Sequence, residues 1–415
     1  MSDPRTILVS LVSLTLSQQA FATDLVVDAA GGPGVDHTTL SAAVAAALPG
    51  DTIFVRNGVY PESISSQIGL RIVGEGTGTR LTGDYDWHDL APDEELWIGH
   101  LALDDLRLNN CLAPVVLDGV TMDKDITGFG GPLHIRDCVD VRVTDLDLEF
   151  DEIAYEDTPP PINYLAAVTI LGSSVEITGS VIDAGRCRAS DFFCIDAVYV
   201  GLSSQVVIGS SIIEGGDANG PLHPDCFDFP GACEEAITYG GEALLALGGS
   251  NVLVMGSAPS DYLQGGLSFN WPRVAALYSQ ENSHITVSGP DFNGLLPQLA
   301  SIADPPAPYL ERRGPDGGAT DGVLRLRAVA APYSAVVLMS GARPARISRP
   351  VVEEPLLLLR SRVVYVGNTG ADGSLEFDVS LPANLAPGAT LVAQALVTDH
   401  ANGRRLTNSL PFLVD

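Results

Sequence analysis

LGSSVEITGSVID at residues 171–183 and LSSQVVIGSSIIE at residues 202–214 carry one pattern. A small polar turn precedes an apolar strand, and a second turn precedes a second strand. The pattern recurs in NNCLAPVVLDGVTMD (109–123), RDCVDVRVTDLDLE (136–149), GGSNVLVMGS (248–257) and ENSHITVSG (281–289). Aligning Val115, Val141, Val175, Val206, Val252 and Ile285 puts Leu117, Val143, Ile177, Ile208, Val254 and Val287 two residues on. Every position in both columns is β-branched or Leu. Successive anchors lie 26, 34, 31, 46 and 33 residues apart, one superhelical rung plus loops of variable length. Two apolar columns over six irregularly spaced units predict stacked parallel strands. A sandwich would instead show tight turns every 8–12 residues and no long-range column. The sequence therefore predicts an all-β protein built on a right-handed parallel β-helix.

Working outward, DHTTLSAAVAAALPG (36–50) predicts a short capped helix over the open end of the coil, whose unpaired backbone would otherwise template aggregation. Pro49-Gly50-Asp51 then leads into a first rung at Thr52-Ile53-Phe54-Val55. Residues 301–322 are rich in Pro, Gly and charge and predict a linker. Alternating runs across 323–415 predict a small C-terminal β-sandwich-like domain. Residues 1–22 read as a secretory signal, with Arg5, an apolar run from Ile7 to Leu16 and the cleavage pattern Ala20-Phe21-Ala22. The β-helix is then expected over 23–300.

Composition narrows the function. The chain of 415 residues is 46% hydrophobic and only 18% charged, with 43 Gly and 28 Pro, which favours a turn-rich globular protein over a disordered one. Acids outnumber Lys and Arg by 52 to 22, a net charge of −30. That balance excludes nucleic acid and anionic lipid as expected partners. After the signal no stretch reaches the roughly 18 apolar residues of a membrane span, so the chain is expected outside the cell or at its surface.

All six cysteines lie between 111 and 233, an even number that suits an oxidising compartment. Cys187–Cys194 and Cys226–Cys233 each bracket a loop-like segment. Cys111 and Cys138 lie just before successive anchors, where stacked rungs about 4.8 Å apart would bring them within disulfide reach. The predicted bridges are these three pairs.

The stretch from Thr39-Leu40 through Ala43-Val44, Gly50-Asp51-Thr52-Ile53, Gly58-Val59-Tyr60-Pro61-Glu62 and Ile72-Val73-Gly74-Glu75-Gly76 resembles the opening of the pectin-lyase-like superfamily, especially pectin methylesterases. It covers roughly 50 residues and implies the cap and first coil. The esterases' catalytic Gln and two Asp have no counterpart: the nearest string, Asp228-Phe229-Pro230-Gly231, carries Pro where a strand residue belongs. W-x-D-H and R-x-P-x-x-R, the pectate-lyase signatures, are also missing, and Trp87-His88-Asp89 runs in the wrong order. The later half looks like secreted bacterial β-helix-repeat proteins, through Glu214-Gly215-Gly216-Asp217 and the Cys loops.

Three sets of residues stand out as candidate sites. Asp123, Glu149, Asp183 and Glu214, each eight residues after an anchor, form a carboxylate column. The first reading is acids placed by turn chemistry and solvation; the alternatives are a Ca²⁺ site and a catalytic carboxylate. Tyr85, Trp87, His88 and Trp97 lie in an expected insertion, 84–100, and fit either a sugar-stacking surface or a loop packed on the coil. Arg186 and Arg188, near Asp183, Asp191 and Asp196, fit ion pairs or the base of a lyase. With no catalytic motif present, the sequence favours a secreted, non-catalytic polysaccharide binder. The alternative is a polysaccharide lyase or carbohydrate esterase with a nonstandard site in the groove between loops 84–100, 186–196 and 217–235.

Overall fold

The computed structural model describes residues 24–122, 131–150, 166–185, 195–217, 241–255, 263–264, 277–280, 282–288, 300–302 and 309–312. Beyond these it describes 323–330, 333–341, 343–347, 356–359, 362–371, 373–380, 390–399 and 403–413. The expected signal segment, Asp123, the Arg186–Arg188 region and four of the six cysteines lie outside the described residues.

The anchors pair in the expected register. Val115 stands beside Val141, Val141 beside Val175, Val175 beside Val206, Val206 beside Val252 and Val252 beside Ile285, all in parallel strands. The second column, Leu117 to Val287, follows in the same pairings. A single sheet of 23 strands winds through the whole coil. Parallel neighbours with right-handed crossovers close it into a β-helix.

The coil has three faces. The first holds Asp24–Val27, Thr52–Val55, Arg71–Gly74, Asp140–Thr144, Ser174–Thr178, Gln205–Gly209, Asn251–Met255, His284–Ser288 and Ala300–Ile302. The second holds Gly58–Tyr60, Asp147–Glu149, Val181–Asp183, Ile212–Glu214 and Leu263–Gln264. The third holds Ile64–Ser66, Leu133–Arg136, Ala166–Leu171, Asp196–Gly201, Leu244–Ala246 and Leu277–Ser279. Thr79–His88, Leu96–Asn109 and Pro114–Met122 are long enough to turn a corner and serve two faces or three. Asp24–Val27 is a rung that the sequence reading did not anticipate, ahead of Thr52–Val55.

Inside, the aliphatic columns merge into one core running from Val27 to Ile285. Each fully buried aliphatic side chain contributes about 1.5–3 kcal/mol, so the ladder is the main source of stability. Burial alternates along residues 146–150: Leu146, Leu148 and Phe150 are buried, while Asp147 and Glu149 are exposed.

Tight turns at two corners explain the polar punctuation of the repeat. Between the first and second faces, His100, Gly119, Asp145, Gly179 and Ser210 adopt φ of 46–64°. Asp and Gly tolerate this left-handed conformation, which is why they recur there. Just after the left-handed residue between third and first faces comes a buried serine column. Ser173 N–H donates to Ser204 Oγ at 3.1 Å, Ser204 N–H to Ser250 Oγ at 3.2 Å, and Ser250 N–H to Ser283 Oγ at 3.0 Å. A hydroxyl from the next rung thus satisfies a turn amide that the strand ladder leaves over. Cys138 N–H donates to Ser173 Oγ at 2.9 Å, so Cys138 belongs to the same column.

The capping helix is Leu40–Ala46, with Thr39 as N-cap accepting from Ala42 N–H. Leu40, Ala43 and Val44 are its buried face. Glu62 reaches back to the first turn: its carboxylate accepts from Leu40 N–H at 2.9 Å, Ser41 N–H at 2.8 Å and the Ser41 hydroxyl. A carboxylate at the helix N-terminus offsets its unpaired amides, and ties Gly58–Glu62 to the cap.

The C-terminal part has its own core of Leu310, Leu326, Ala328, Val336, Leu338, Phe377, Ala393, Ala395 and Val397. It joins a three-stranded sheet (Tyr309–Arg312, Val323–Val329, Ser374–Ser380) to a four-stranded one (Arg362–Asn368, Ala335–Gly341, Thr390–Asp399, Gly403–Leu413), a sandwich-like arrangement. The expected linker needs correction. Ala300–Ile302 still pairs with the coil, and Tyr309–Arg312 pairs antiparallel with Val323–Val329, its Leu310 fully buried. Pro, Gly and charge around that short strand masked it. Val329 packs with Met255, Val207 and Leu253, whose pairings place them on the first face, so the C-terminal part lies against the coil's flank.

Candidate functional site

The expected insertion at 84–100 does not exist as one. Thr79–His88 and Leu96–Asn109 are strands of the coil. Tyr85 and Trp87 lie in the interior, their rings stacked at 6.3 Å with 10° between planes. Trp97 faces the other way, but is 0% exposed and packs against Val116 and Val73. Rings without an exposed face cannot stack on a sugar, so Tyr85, Trp87 and Trp97 are corrected to packing residues. Burial also pushes the Tyr85 phenol up from its usual range. His88 is part-exposed and held by Ser65 at 3.2 Å, Gln67 at 3.2 Å and Asp89 at 3.0 Å.

The register places Glu149 beside Asp183 and Asp183 beside Glu214, with Gln264 next. The column expected from the repeat is therefore real for three of its four members. Asp183 accepts from Gly185 N–H at 2.8 Å, an Asx-type turn that accounts for an acid at that position. Among the described residues no group of three or more His, Cys, Asp or Glu side chains is placed to hold a metal ion. The column as described thus lacks the convergence that a calcium site requires.

The column's position is more informative than its charge. Glu149, Asp183, Glu214 and Gln264 end strands of the second face, where the chain turns towards the third. Segments 123–130, 151–165, 186–194, 218–240 and 265–276 all join a second-face strand to a third-face strand. Five successive rungs therefore carry their extra residues between the same two faces. On the preceding rungs the chain runs through this corner as continuous strand, in Thr79–His88 and Leu96–Asn109.

On the far side of that corner, Asp196 and Glu242 occupy adjacent rungs, two residues before the paired Val198 and Leu244. Glu242 N–H donates to Asp196 Oδ1 at 2.8 Å, and Ala197 N–H to the Glu242 carbonyl at 2.9 Å. Burial first, then the hydrogen bond with the Glu242 carboxyl and its charge, hold the Asp196 carboxyl well above the usual carboxylate range. Gly241 makes this approach possible: a Cβ there would lie 1.8 Å from the Ile195 carbonyl oxygen. Backbone bonds from Asp217 to Gly185, Gly216 to Ile195 and Gly241 to Gly216 stitch the loop bases together.

The sequence reading placed Asp196 beside Arg186 and Arg188 but did not find Glu242. Its partner lies 46 residues away across an insertion, and only the rung register brings them together.

No family model matches this chain. No curated protein matches it either. Among solved structures the chain is similar to the enzymatically active domain of tailspike protein 2 of bacteriophage CBA120, at 11% identity and a TM-score of 0.27, over 88% of this chain and 67% of that one.

Proposed function

We propose that the chain is an exported, non-catalytic polysaccharide-binding β-helix protein that meets its ligand along the corner between the second and third faces. The observation that carries this reading is that five successive rungs have their extra residues between the second-face and third-face strands, next to strand ends bearing Glu149, Asp183, Glu214, Asp196 and Glu242. A ladder of equal rungs is quasi-one-dimensional and suits an extended polymer better than a compact ligand. Carboxylates accept hydrogen bonds from sugar hydroxyls and attract amino groups. A net charge of −30 repels polyanions, so the ligand class is a neutral or amino-bearing polysaccharide and not a polyuronate. The secretory pattern of residues 1–22 supports action at the cell surface or in the matrix.

Affinity electrophoresis through gels containing a neutral β-glucan, chitosan or polygalacturonate tests this. Retardation by glucan or chitosan, weakened by Glu214→Gln and with salt sensitivity for chitosan alone, is the expected result. Equal or greater retardation by polygalacturonate would overturn the ligand class, and retardation by none would overturn the binding reading.

One observation favours a processing role instead. A carboxyl that burial holds well above the usual carboxylate range, as it does Asp196, has the property needed of a general acid. Incubating the same polymers with the protein, with and without Ca²⁺, and measuring reducing ends, unsaturated products, methanol and acetate distinguishes the two readings. Release abolished by Asp196→Asn would favour the enzyme.

A further inference from the structure

The serine column at the corner between third and first faces begins with two sulfurs. Asn109 pairs with Arg136, so Cys111 and Cys138, each two residues on, stand on neighbouring rungs. The repeating pattern of the column is kept. Cys111 Sγ lies 3.6 Å from the Asn109 carbonyl oxygen and Cys138 Sγ 3.2 Å from that of Arg136, as Ser173 Oγ lies 2.7 Å from that of Leu171. Each cysteine side chain turns back on the carbonyl two residues before it and also reaches a carbonyl of the preceding rung, Trp87 at 3.6 Å for Cys111 and Leu108 at 3.5 Å for Cys138. The structure holds both as free thiols rather than as the bridge expected from the sequence, and buries them, Cys111 0% and Cys138 1% exposed. In the serine part of the column the inter-rung link is an N–H···Oγ bond. In the first two rungs the chemistry of the column permits a covalent one, since neighbouring rungs stand about 4.8 Å apart, within the Cα range that a disulfide accepts.

We propose that Cys111 and Cys138 form a disulfide that links adjacent rungs and closes before the coil does. The oxidant is an external disulfide, organic or protein-borne. One cysteine thiolate attacks it, breaking its S–S bond and releasing one thiol. The second thiolate then attacks the resulting mixed disulfide, forming the Cys111–Cys138 bond and releasing a second thiol. The external disulfide is reduced, the two cysteines are oxidised, and their two protons leave on the released thiols. Neither sulfur is reachable by such a reagent once Leu108, Trp87 and the rungs around them have packed, so the exchange belongs to folding. The finished bond is shielded from reductant by the same burial.

The test uses the full chain folded in a mixture of oxidised and reduced glutathione. It is then denatured without reductant, alkylated with iodoacetamide and digested. The expected result is a linked peptide pair holding Cys111 and Cys138, lighter by two hydrogens than the separate thiol peptides. A phosphine reductant should leave that pair intact in the native protein and break it in denaturant. The variant with Cys187, Cys194, Cys226 and Cys233 all changed to Ser should give the same pair; should it fail to fold, the wild-type map decides alone. Alkylation of both Cys111 and Cys138 after oxidative folding, or linkage of either to another cysteine, would overturn the proposal. So would ready reduction of the bond in the native protein.

Discussion

Replacing Ser204 by Ala tests how the rungs are tied at their turns. Ser204 is 0% exposed, accepts from Ser173 N–H at 3.1 Å, and donates to the carbonyl of Gly201 in its own turn. Alanine fits the space but leaves the Ser173 amide and that carbonyl without this partner in a site closed to water. An orphaned buried donor or acceptor costs about 1–3 kcal/mol. At about 1.4 kcal/mol per factor of ten, the equilibrium for opening the Ser173 turn should rise about 5- to about 150-fold. Amide hydrogen exchange at Ser173 reads this directly, which matters because stacked repeats open locally and one global midpoint can miss the effect. Ser203→Ala is the control, since its hydroxyl reaches the Gly248 carbonyl from an exposed position and its loss should stay within about 0.5 kcal/mol. Equal protection of Ser173 in both variants would refute the idea that the serine column bears on stability.

Three further outcomes follow from the same geometry. Trp87→Ala should cost about 3–5 kcal/mol in chemical denaturation, as for any large core side chain; a near-neutral effect would return Trp87 to the surface. Gly241→Ala should cost about 1–3 kcal/mol through the clash with the Ile195 carbonyl, while Gly209→Ala, whose Cβ would find nothing nearer than 3.9 Å, should be close to neutral in the same melts. Asp196 is protonated more readily in the fold than in the unfolded chain, so its burial costs no stability below about pH 3.9, and the cost grows as pH rises towards its raised folded value. Asp196→Asn should therefore raise the thermal midpoint at pH 8 more than at pH 4; an equal shift at both would show that Asp196 is ionised in the fold.

The coil was legible because its determinants are local and repeated. Val175, Ile177, Val206 and Ile208 alternate within one strand and recur on the next rung, so the core announces itself in composition and period. Serines at 173, 204, 250 and 283 were visible as small polar turn residues, but the hydrogen bond that each receives comes from the preceding rung and has no local sign. Tyr85 and Trp87 misled for a related reason. Flanking acids and histidine made an interior strand pair look like a polar loop, although both rings alternate inward with period two. Tyr309–Arg312 was lost in a Pro- and Gly-rich surround because four residues are too few to show a period. The Asp196–Glu242 contact depends on the lengths of insertions, which no pattern within a strand encodes. The corner with its five insertions emerges only once each strand has been assigned to a face.

Hydrogen-exchange footprinting with saturating chitosan oligomer or neutral β-glucan oligomer tests most directly whether that corner is the ligand face. Added protection concentrated at 184–185, 215–217 and 241–243, with none at the first-face residues 174–178 and 205–209, is the result expected. Protection confined to the first face or to the C-terminal sheets, or produced only by an oligogalacturonate, would contradict the account.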